Sequence, residues 1–223
     1  MKTVLSGIIF AILAAIAAPL SAQYQPDVLE LDGATTLVFP AHETLDLSGG
    51  ATIEFWVQPD WESAPGFDPV ILSYAGEQGA SYLVAMLRDR DGIGIMSGDT
   101  FMVAPFDFTD GEMHFVAIID YGDRTEVLVN NTLVAVLDMT IQSLPADGLF
   151  IGTADGTNDP FLGGIAAVRL WGIPLSQDVL LQHAMRDLLD EERAQHPDLR
   201  FLIAHSAFGT EDFRLAAANA DPQ

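Results

Sequence analysis

Cysteine is absent from this 223-residue sequence, and basic residues are scarce: nine Lys and Arg stand against 32 Asp and Glu. Without cysteine the chain has no disulfide framework and cannot carry a lipid on a cysteine behind an export signal. A formal net charge of −23 repels nucleic acid and anionic lipid surfaces. Both are therefore excluded as expected partners, whereas divalent cations and cationic partners are compatible with this charge.

Long apolar runs are also absent, apart from one at the N-terminus. The run Ile8–Ala18 follows the single lysine, Lys2, and is shorter than the roughly 20 residues that a membrane-spanning helix needs. Small residues follow it, so the sequence predicts a signal peptide over 1–22, with an uncleaved anchor as the alternative. We therefore expect a secreted or periplasmic protein that is not inserted in a membrane after the signal is removed.

Short apolar segments separated by Gly, Asp, Asn and Pro are typical of a β-sandwich or β-barrel. This pattern predicts one domain of this kind over residues 23–215, followed by a flexible tail over 216–223. The expected strands are Val28–Leu31, Thr36–Phe39, Ala51–Gln58, Pro69–Tyr74, Tyr82–Arg88, Gly92–Met96, Phe101–Ala104, Met113–Asp120, Thr125–Asn130, Leu133–Asp138, Gly148–Gly152, Ile165–Trp171 and Phe201–Ala204.

Two local patterns are specific enough to predict geometry. Alternation in Thr52–Gln58 places Ile53, Phe55 and Val57 on one face, which predicts a half-buried strand. Asn130-Asn131 predicts a tight hairpin turn, because Asn tolerates positive φ.

A single helix is predicted over 176–195. Ser176 is a suitable N-cap, Asp178 suits the positive first turn, and Pro197 ends the element. Its apolar stripe consists of Val179, Leu180, Ala184, Leu188 and Leu189. This stripe predicts that the helix packs on the sandwich.

Four stretches together resemble the laminin-G-like family of concanavalin A-like lectin/glucanase jelly rolls, in its bacterial form. They are Leu29–Gly33, Leu45–Pro59, the pair Met113–Ala117 and Val127–Asn130, and Gly163–Trp171 followed by Pro174–Ser176. The resemblance covers about residues 28–182 and implies a two-sheet antiparallel jelly-roll sandwich with one C-terminal helix packed on it. It does not imply a ligand, because this fold carries lectins, adhesion modules, glycanases and lyases.

Two departures from the family argue against catalysis. Family members often carry an acidic pair in the closing strand, where this chain has Ala166 and Ala167. Glycanases of this fold also resemble one another in an acidic triplet on one strand, and no such triplet is found here. Retaining hydrolysis needs two carboxylates about 5 Å apart. We therefore expect a protein that is not an enzyme.

Calcium is the cofactor that the resemblance favours, because laminin-G-like domains often hold calcium at the rim of the sandwich. Asp155, Asn158 and Asp159 are the predicted ligands, in a loop that also reads as an ordinary acidic turn. Asp99 and Asp107 are weaker candidates. Extracellular modules bind calcium with dissociation constants of about 10⁻⁴ to 10⁻³ M.

The loop Pro59–Asp68 is the predicted ligand-binding segment, since it carries Trp61 and Phe67. Aromatic rings on loops stack on sugars or anchor protein partners. The alternative is that Trp61 folds back and closes the edge of the sandwich.

The predicted function is therefore an exported, non-catalytic binding or adhesion module for carbohydrate or a surface protein, with calcium dependence possible in principle. A calcium-bridged assembly protein of the cell envelope or matrix is the first alternative, and a glycan hydrolase or lyase is the second. The sequence leaves the oligomeric state open.

Overall fold

The fold is a sandwich of two antiparallel sheets with one helix on its outer side, as the resemblance implies. The computed structural model describes residues 28–184, 202–206 and 213–215. The predicted signal peptide (1–22), the second half of the predicted helix (185–195) and the predicted tail (216–223) lie outside the described residues.

Fourteen strands form the two sheets, and every pairing between them is antiparallel. They are β1 (Leu29–Asp32), β2 (Leu37–Pro40), β3 (Ala51–Pro59), β4 (Val70–Gly76), β5 (Gly79–Met86), β6 (Gly92–Ser97), β7 (Thr100–Pro105), β8 (His114–Asp120), β9 (Thr125–Val129), β10 (Thr132–Leu137), β11 (Gly148–Ile151), β12 (Leu162–Trp171), β13 (Leu202–Ser206) and β14 (Phe213–Leu215). A 3₁₀ helix spans Glu43–Leu45, and the α-helix α1 spans Gln177–Ala184.

Sheet 1 has the order β10-β9-β8-β3-β12-β13-β14, with β1 also paired to β12. Sheet 2 has the order β2-β11-β4-β5-β6-β7. Their facing sides form the main apolar core, to which both sheets contribute fully buried aromatic and branched side chains such as Phe55, Ile71, Tyr82 and Val127. Burying each large apolar side chain stabilises the fold by about 1.5–3 kcal/mol.

A second apolar core lies between the outer side of sheet 1 and α1. Trp56 and Phe115 from the sheet pack there with Leu180 and Ala184 from the helix. The expectation that β3 is half-buried was therefore wrong: its outward residues Thr52, Glu54 and Trp56 are at most 1% exposed, because α1 covers them.

The sheet also binds the backbone of the helix. Trp56 Nε1 donates to the Ala184 carbonyl at 3.2 Å, and Arg169 Nη1 donates to the His183 carbonyl at 2.8 Å. These two bonds join the backbone of α1 directly to sheet 1. The predicted packing of this helix on the sandwich is confirmed over the described residues.

The predicted Asn130-Asn131 turn is confirmed by backbone angles. Asn130 and Asn131 have φ of 48° and 62°, as a two-residue hairpin requires.

The closing strand β12 has a bulge between Ala166 and Arg169, with Ala167 at φ 49°. Both alanines pack in the second core, so the family's acidic positions here face α1.

Candidate functional site

A polar pocket of about 290 Å³ opens at one end of the sandwich. Five separate segments bring its walls together: β1, the end of β3, the β5–β6 loop, the loop before β8 and the start of β12. The lining residues are Glu30, Gln58, Pro59, Asp60, Arg90, Gly111 and Gly164. Such a mixture of carboxylate, amide and guanidinium groups offers a ligand both hydrogen-bond donors and acceptors.

Arg90 is the cation of this pocket, and the backbone holds it in an uncommon conformation. Its φ is 61°, in the left-handed region that a long side chain rarely adopts. Its N–H donates to the Leu87 carbonyl at 2.7 Å, and its own carbonyl accepts from the Phe108 N–H at 2.8 Å. These two bonds fix the residue, and strained residues that neighbouring contacts hold in place are concentrated at binding sites.

The ring of Trp61 lies under the Arg90 guanidinium, whose Cζ is 5.9 Å from the ring centroid. The indole is only 8% exposed: its Nε1 donates to the Arg88 carbonyl at 3.0 Å, and its edge contacts Phe161. This placement matches the alternative interpretation of Trp61, a ring that closes the edge of the sandwich. Trp61 supports the pocket from below, through Arg90, and its covered face is not presented to a ligand.

The predicted loop nevertheless borders the pocket. Pro59 and Asp60, at its start, are lining residues, whereas Trp61 and Phe67 are not among them. Phe67 is partly buried. The ligand-stacking role predicted for these two rings stays a prediction.

One side of the pocket is formed where β3 ends beside the start of β12. Gln58 Nε2 donates to the Gly111 carbonyl at 2.5 Å, and the Asp60 N–H donates to the Leu162 carbonyl at 3.1 Å. Gly163 has a φ of 128°, and a Cβ there would lie 2.1 Å from the Gln58 carbonyl oxygen. Only glycine therefore permits this approach of the two strands.

Sequence reasoning did not find Glu30, Gln58 or Arg90. They are far apart in the chain, and no spacing rule connects them. One signal was available in the sequence. Only eight arginines lie outside the predicted signal peptide, and two of them, Arg88 and Arg90, are separated by a single residue in one loop.

Arg90 also differs from the other described arginines in its pairing. Side chains are described for Arg88, Arg90, Arg124 and Arg169, and among these four only Arg90 lacks a carboxylate within 4.0 Å. In a chain of net charge −23, an arginine that lies at a pocket without such an ion pair is the feature most suggestive of ligand binding.

The predicted calcium loop lies elsewhere, against the outer side of sheet 2. Ser73 on β4 donates to the Ala154 carbonyl, and the loop at Gly156 contacts Phe150 and Val38. Asp155 is the centre of this loop: its carboxylate accepts bonds from Asn158 and Thr157, which lower its pKa to about 2.

These hydrogen bonds stabilise the turn, which explains an aspartate at position 155 without a metal ion. The amide nitrogen of Asn158, not its oxygen, is directed to Asp155 at 2.6 Å. Within the described ranges, no three His, Cys, Asp or Glu side chains are grouped as a metal site requires. The geometry thus fits the ordinary-turn interpretation, and calcium binding by Asp155, Asn158 and Asp159 stays a prediction.

A calcium titration decides between the two interpretations of this loop. If the loop holds calcium, millimolar calcium raises the Tm of the wild type, and Asp155→Asn removes that rise, because a ligand that binds only the folded state stabilises it. Glu77→Gln, at an exposed position on the β4–β5 turn, serves as a matched control. An unchanged wild-type Tm, with no heat in calorimetry, would eliminate calcium at this loop.

A buried ion pair lies under α1, on a different side of the molecule from the pocket. Arg169 Nη1 bonds Glu54 Oε1 at 3.0 Å, and both side chains are at most 1% exposed. Burial raises the pKa of Glu54, and the Arg169 charge opposes that rise. The pair fastens β12 to β3 and α1, so its role is structural.

His114 is also a structural residue. It is 5% exposed, with Nε2 at 2.9 Å from Asp110 Oδ1 and Nδ1 at 2.9 Å from Asn130 Nδ2. The second contact ties the β8 strand to the Asn130-Asn131 turn.

No helix among the described residues has the length and apolarity to cross a membrane.

Comparison with protein families gives a match over residues 31–180, to a laminin-G family described as the concanavalin A-like lectin/glucanases superfamily. The chain belongs to this superfamily. The match confirms the resemblance stated from the sequence and spans β1 through the first turn of α1. A search of curated proteins gave no match.

Solved structures of the same architecture include two whose names refer to carbohydrate binding. The CBM40 of the Ruminococcus gnavus IT-sialidase, bound to α2,3-sialyllactose, aligns with a TM-score of 0.58 at 17% identity, over 72% of this chain and 97% of that chain. A Bacteroides ovatus protein with a proposed role in carbohydrate binding gives 0.60 at 16%, over 81% of this chain and 51% of that one. The receptor-binding domain of the botulinum neurotoxin C/D mosaic serotype gives 0.57 at 10%, over 70% and 41%. At these identities the likeness establishes the fold alone.

Proposed function

We propose that this superfamily member is an exported, secreted or periplasmic carbohydrate-binding module, and that its rim pocket holds a sugar without breaking bonds. The observation that carries the proposal is the pocket itself, where Arg90, Gln58 and two carboxylates converge from three segments. Sugars present adjacent hydroxyls that each donate and accept hydrogen bonds, so this mixed set is complementary to them. The small volume suits one terminal sugar unit.

The comparisons support the proposal without carrying it. Two of the structural neighbours are, by their names, a carbohydrate-binding module and a protein with a proposed carbohydrate-binding role. Fold likeness at this identity is an analogy, and the site must supply the chemistry.

Hydrolysis is the second candidate, because Glu30 and Asp60 line one pocket. Both carboxylates are exposed to solvent, whereas a catalytic acid needs an environment that raises its pKa. Among the described Asp and Glu residues, the carboxyl whose pKa is raised is that of Glu54, buried under α1. Binding is therefore the better-supported function of the pocket.

Replacing Arg90 tests the proposal directly. We expect Arg90→Ala to weaken binding of the best glycan found on an array by at least about tenfold, because charge-assisted hydrogen bonds contribute about 1.5–3 kcal/mol each. Arg90→Lys keeps the charge but loses the planar donor fork, and should give an intermediate affinity. Isothermal titration calorimetry measures all three proteins.

Arg88→Ala is the matched control. Arg88 lies two residues away in the same loop, is exposed, and has its closest carboxylate, Asp89, at 3.8 Å. It should bind glycan as the wild type does. Wild-type affinity in a folded Arg90→Ala variant would refute the assignment of this pocket.

A further inference from the structure

We infer that the rim pocket selects uncharged sugars and excludes sugars that carry a carboxylate. The inference rests on the proposed function and specifies the ligand class of the same pocket. It follows from the charges that line the pocket, from the hydrogen-bonding groups that they leave open, and from the charge of the whole chain.

Negative charge outweighs positive charge at the pocket. Glu30 and Asp60 are both exposed acidic lining residues, and Arg90 is the one lining cation. Two like charges near a bound carboxylate each repel it by about 1 kcal/mol or more at partly solvated separations. One cation does not offset both.

Arg90 is also already engaged with its surroundings. Its guanidinium lies over the Trp61 ring, and it interacts electrostatically with Asp107 across the loop. Asp89 and Asp91 flank it in the sequence. An incoming carboxylate would compete with these groups for the same positive charge.

The two lining carboxylates restrict which ligand groups can lie beside them. The carboxylates of Glu30 and Asp60 accept hydrogen bonds only, and Gln58 uses one of its two Nε2 hydrogens for the Gly111 carbonyl at 2.5 Å. A ligand group that bonds Glu30 or Asp60 must therefore be a donor, which a hydroxyl group is and an ionised carboxylate is not. A charged sugar directed at either carboxylate would place acceptor against acceptor.

The field of the whole chain acts in the same direction. A net charge of −23 lowers the local concentration of anions around the protein, and salt screens this effect over a Debye length of about 10 Å at 0.1 M. Any residual affinity for an acidic sugar should rise with salt, whereas affinity for an uncharged sugar should not change.

The test compares neutral oligosaccharides with matched sialylated and uronic-acid forms, on an array and then by calorimetry at two salt concentrations. We expect the best neutral glycan to bind at least about tenfold more tightly than its acidic counterpart. The double variant Glu30→Gln/Asp60→Asn, which keeps shape and removes two charges, should reduce that ratio by about tenfold. Glu77→Gln, at an exposed position on the β4–β5 turn and outside every segment that lines the pocket, is the matched control and should leave the ratio unchanged.

Each outcome has a distinct meaning. Preference for neutral glycans that the double variant reduces supports the inference. Equal or tighter binding of acidic glycans overturns the inference and leaves the proposed function intact. No binding to any glycan overturns the proposed function, and the inference with it.

Discussion

Replacing Arg169 with methionine is expected to lower the free energy of unfolding by about 3–5 kcal/mol, measured by urea denaturation at pH 7. Arg169 and Glu54 are paired at 3.0 Å with both side chains at most 1% exposed. Methionine fills similar space but leaves the Glu54 carboxylate buried without its cation. The variant also loses the bond from Arg169 to the His183 carbonyl, which helps hold α1 on sheet 1.

The loss should depend on pH in a defined direction. Burial raises the pKa of Glu54 above its ordinary 4.5, and removing Arg169 removes the charge that opposes the rise. Folding then takes up a proton at pH values above the unfolded pKa, so stability falls as pH rises. The variant should therefore lose most at pH 7, and less below about pH 4.5, where Glu54 is neutral in both states.

Two comparisons separate this explanation from a general loss of packing. The double variant Glu54→Leu/Arg169→Met removes both charges and should recover about half of the loss or more, since apolar replacements of buried pairs are often near neutral. Arg124→Met breaks only exposed contacts, with Asp123 and Glu126, and should cost under about 1 kcal/mol. If the double variant were as unstable as Arg169→Met, an unpaired Glu54 would not be the cause.

The same pair explains where the sequence was informative and where it was not. Alternation along β3 correctly assigned Ile53, Phe55 and Val57 to the main core. It also placed Thr52, Glu54 and Trp56 together, and two polar residues out of three on one face are typical of solvent exposure. That face is covered because Arg169 satisfies Glu54, and Thr52 Oγ1 donates to the Ile173 carbonyl.

Strand positions could be predicted because alternation and turn residues are local signals. Thirteen of the fourteen strands lie within a few residues of their expected bounds; Phe213–Leu215 was not expected. The Asn130-Asn131 turn was predictable for the same reason, since the required backbone angles favour asparagine.

The pocket could not be predicted, because its walls are non-local. Glu30, Asp60 and Arg90 meet only after β1, β3 and the β5–β6 loop reach one end of the sandwich. An aromatic residue in a loop is equally compatible with an exposed ring that stacks on a ligand and with a buried ring that closes the edge of the sandwich. The structure favours the buried position for Trp61, whose indole N–H donates to the Arg88 carbonyl. No local pattern separates those two outcomes.

Gly163→Ala is the second substitution with a large expected effect, a loss of about 3 kcal/mol or more in the free energy of unfolding. Gly163 has a φ of 128°, and an added Cβ would lie 2.1 Å from the Gln58 carbonyl oxygen and 2.8 Å from the Asp60 nitrogen. Both obstacles are backbone atoms of a paired strand, so β3 and β12 would have to separate. Thermal and urea unfolding measure the loss.

Gly49→Ala is the matched control, because Gly49 also has positive φ, 87°, but has no atom within 4 Å of an added Cβ. Only the conformational penalty applies there, about 1 kcal/mol. Strand separation at Gly163 would also move Gln58 and Asp60, so any folded Gly163→Ala protein should bind glycan less tightly, whereas Gly49→Ala should bind normally. Equal stability losses in the two variants would mean that positive φ alone, and not the approach of β12 to β3 beneath the pocket, is what requires glycine at position 163.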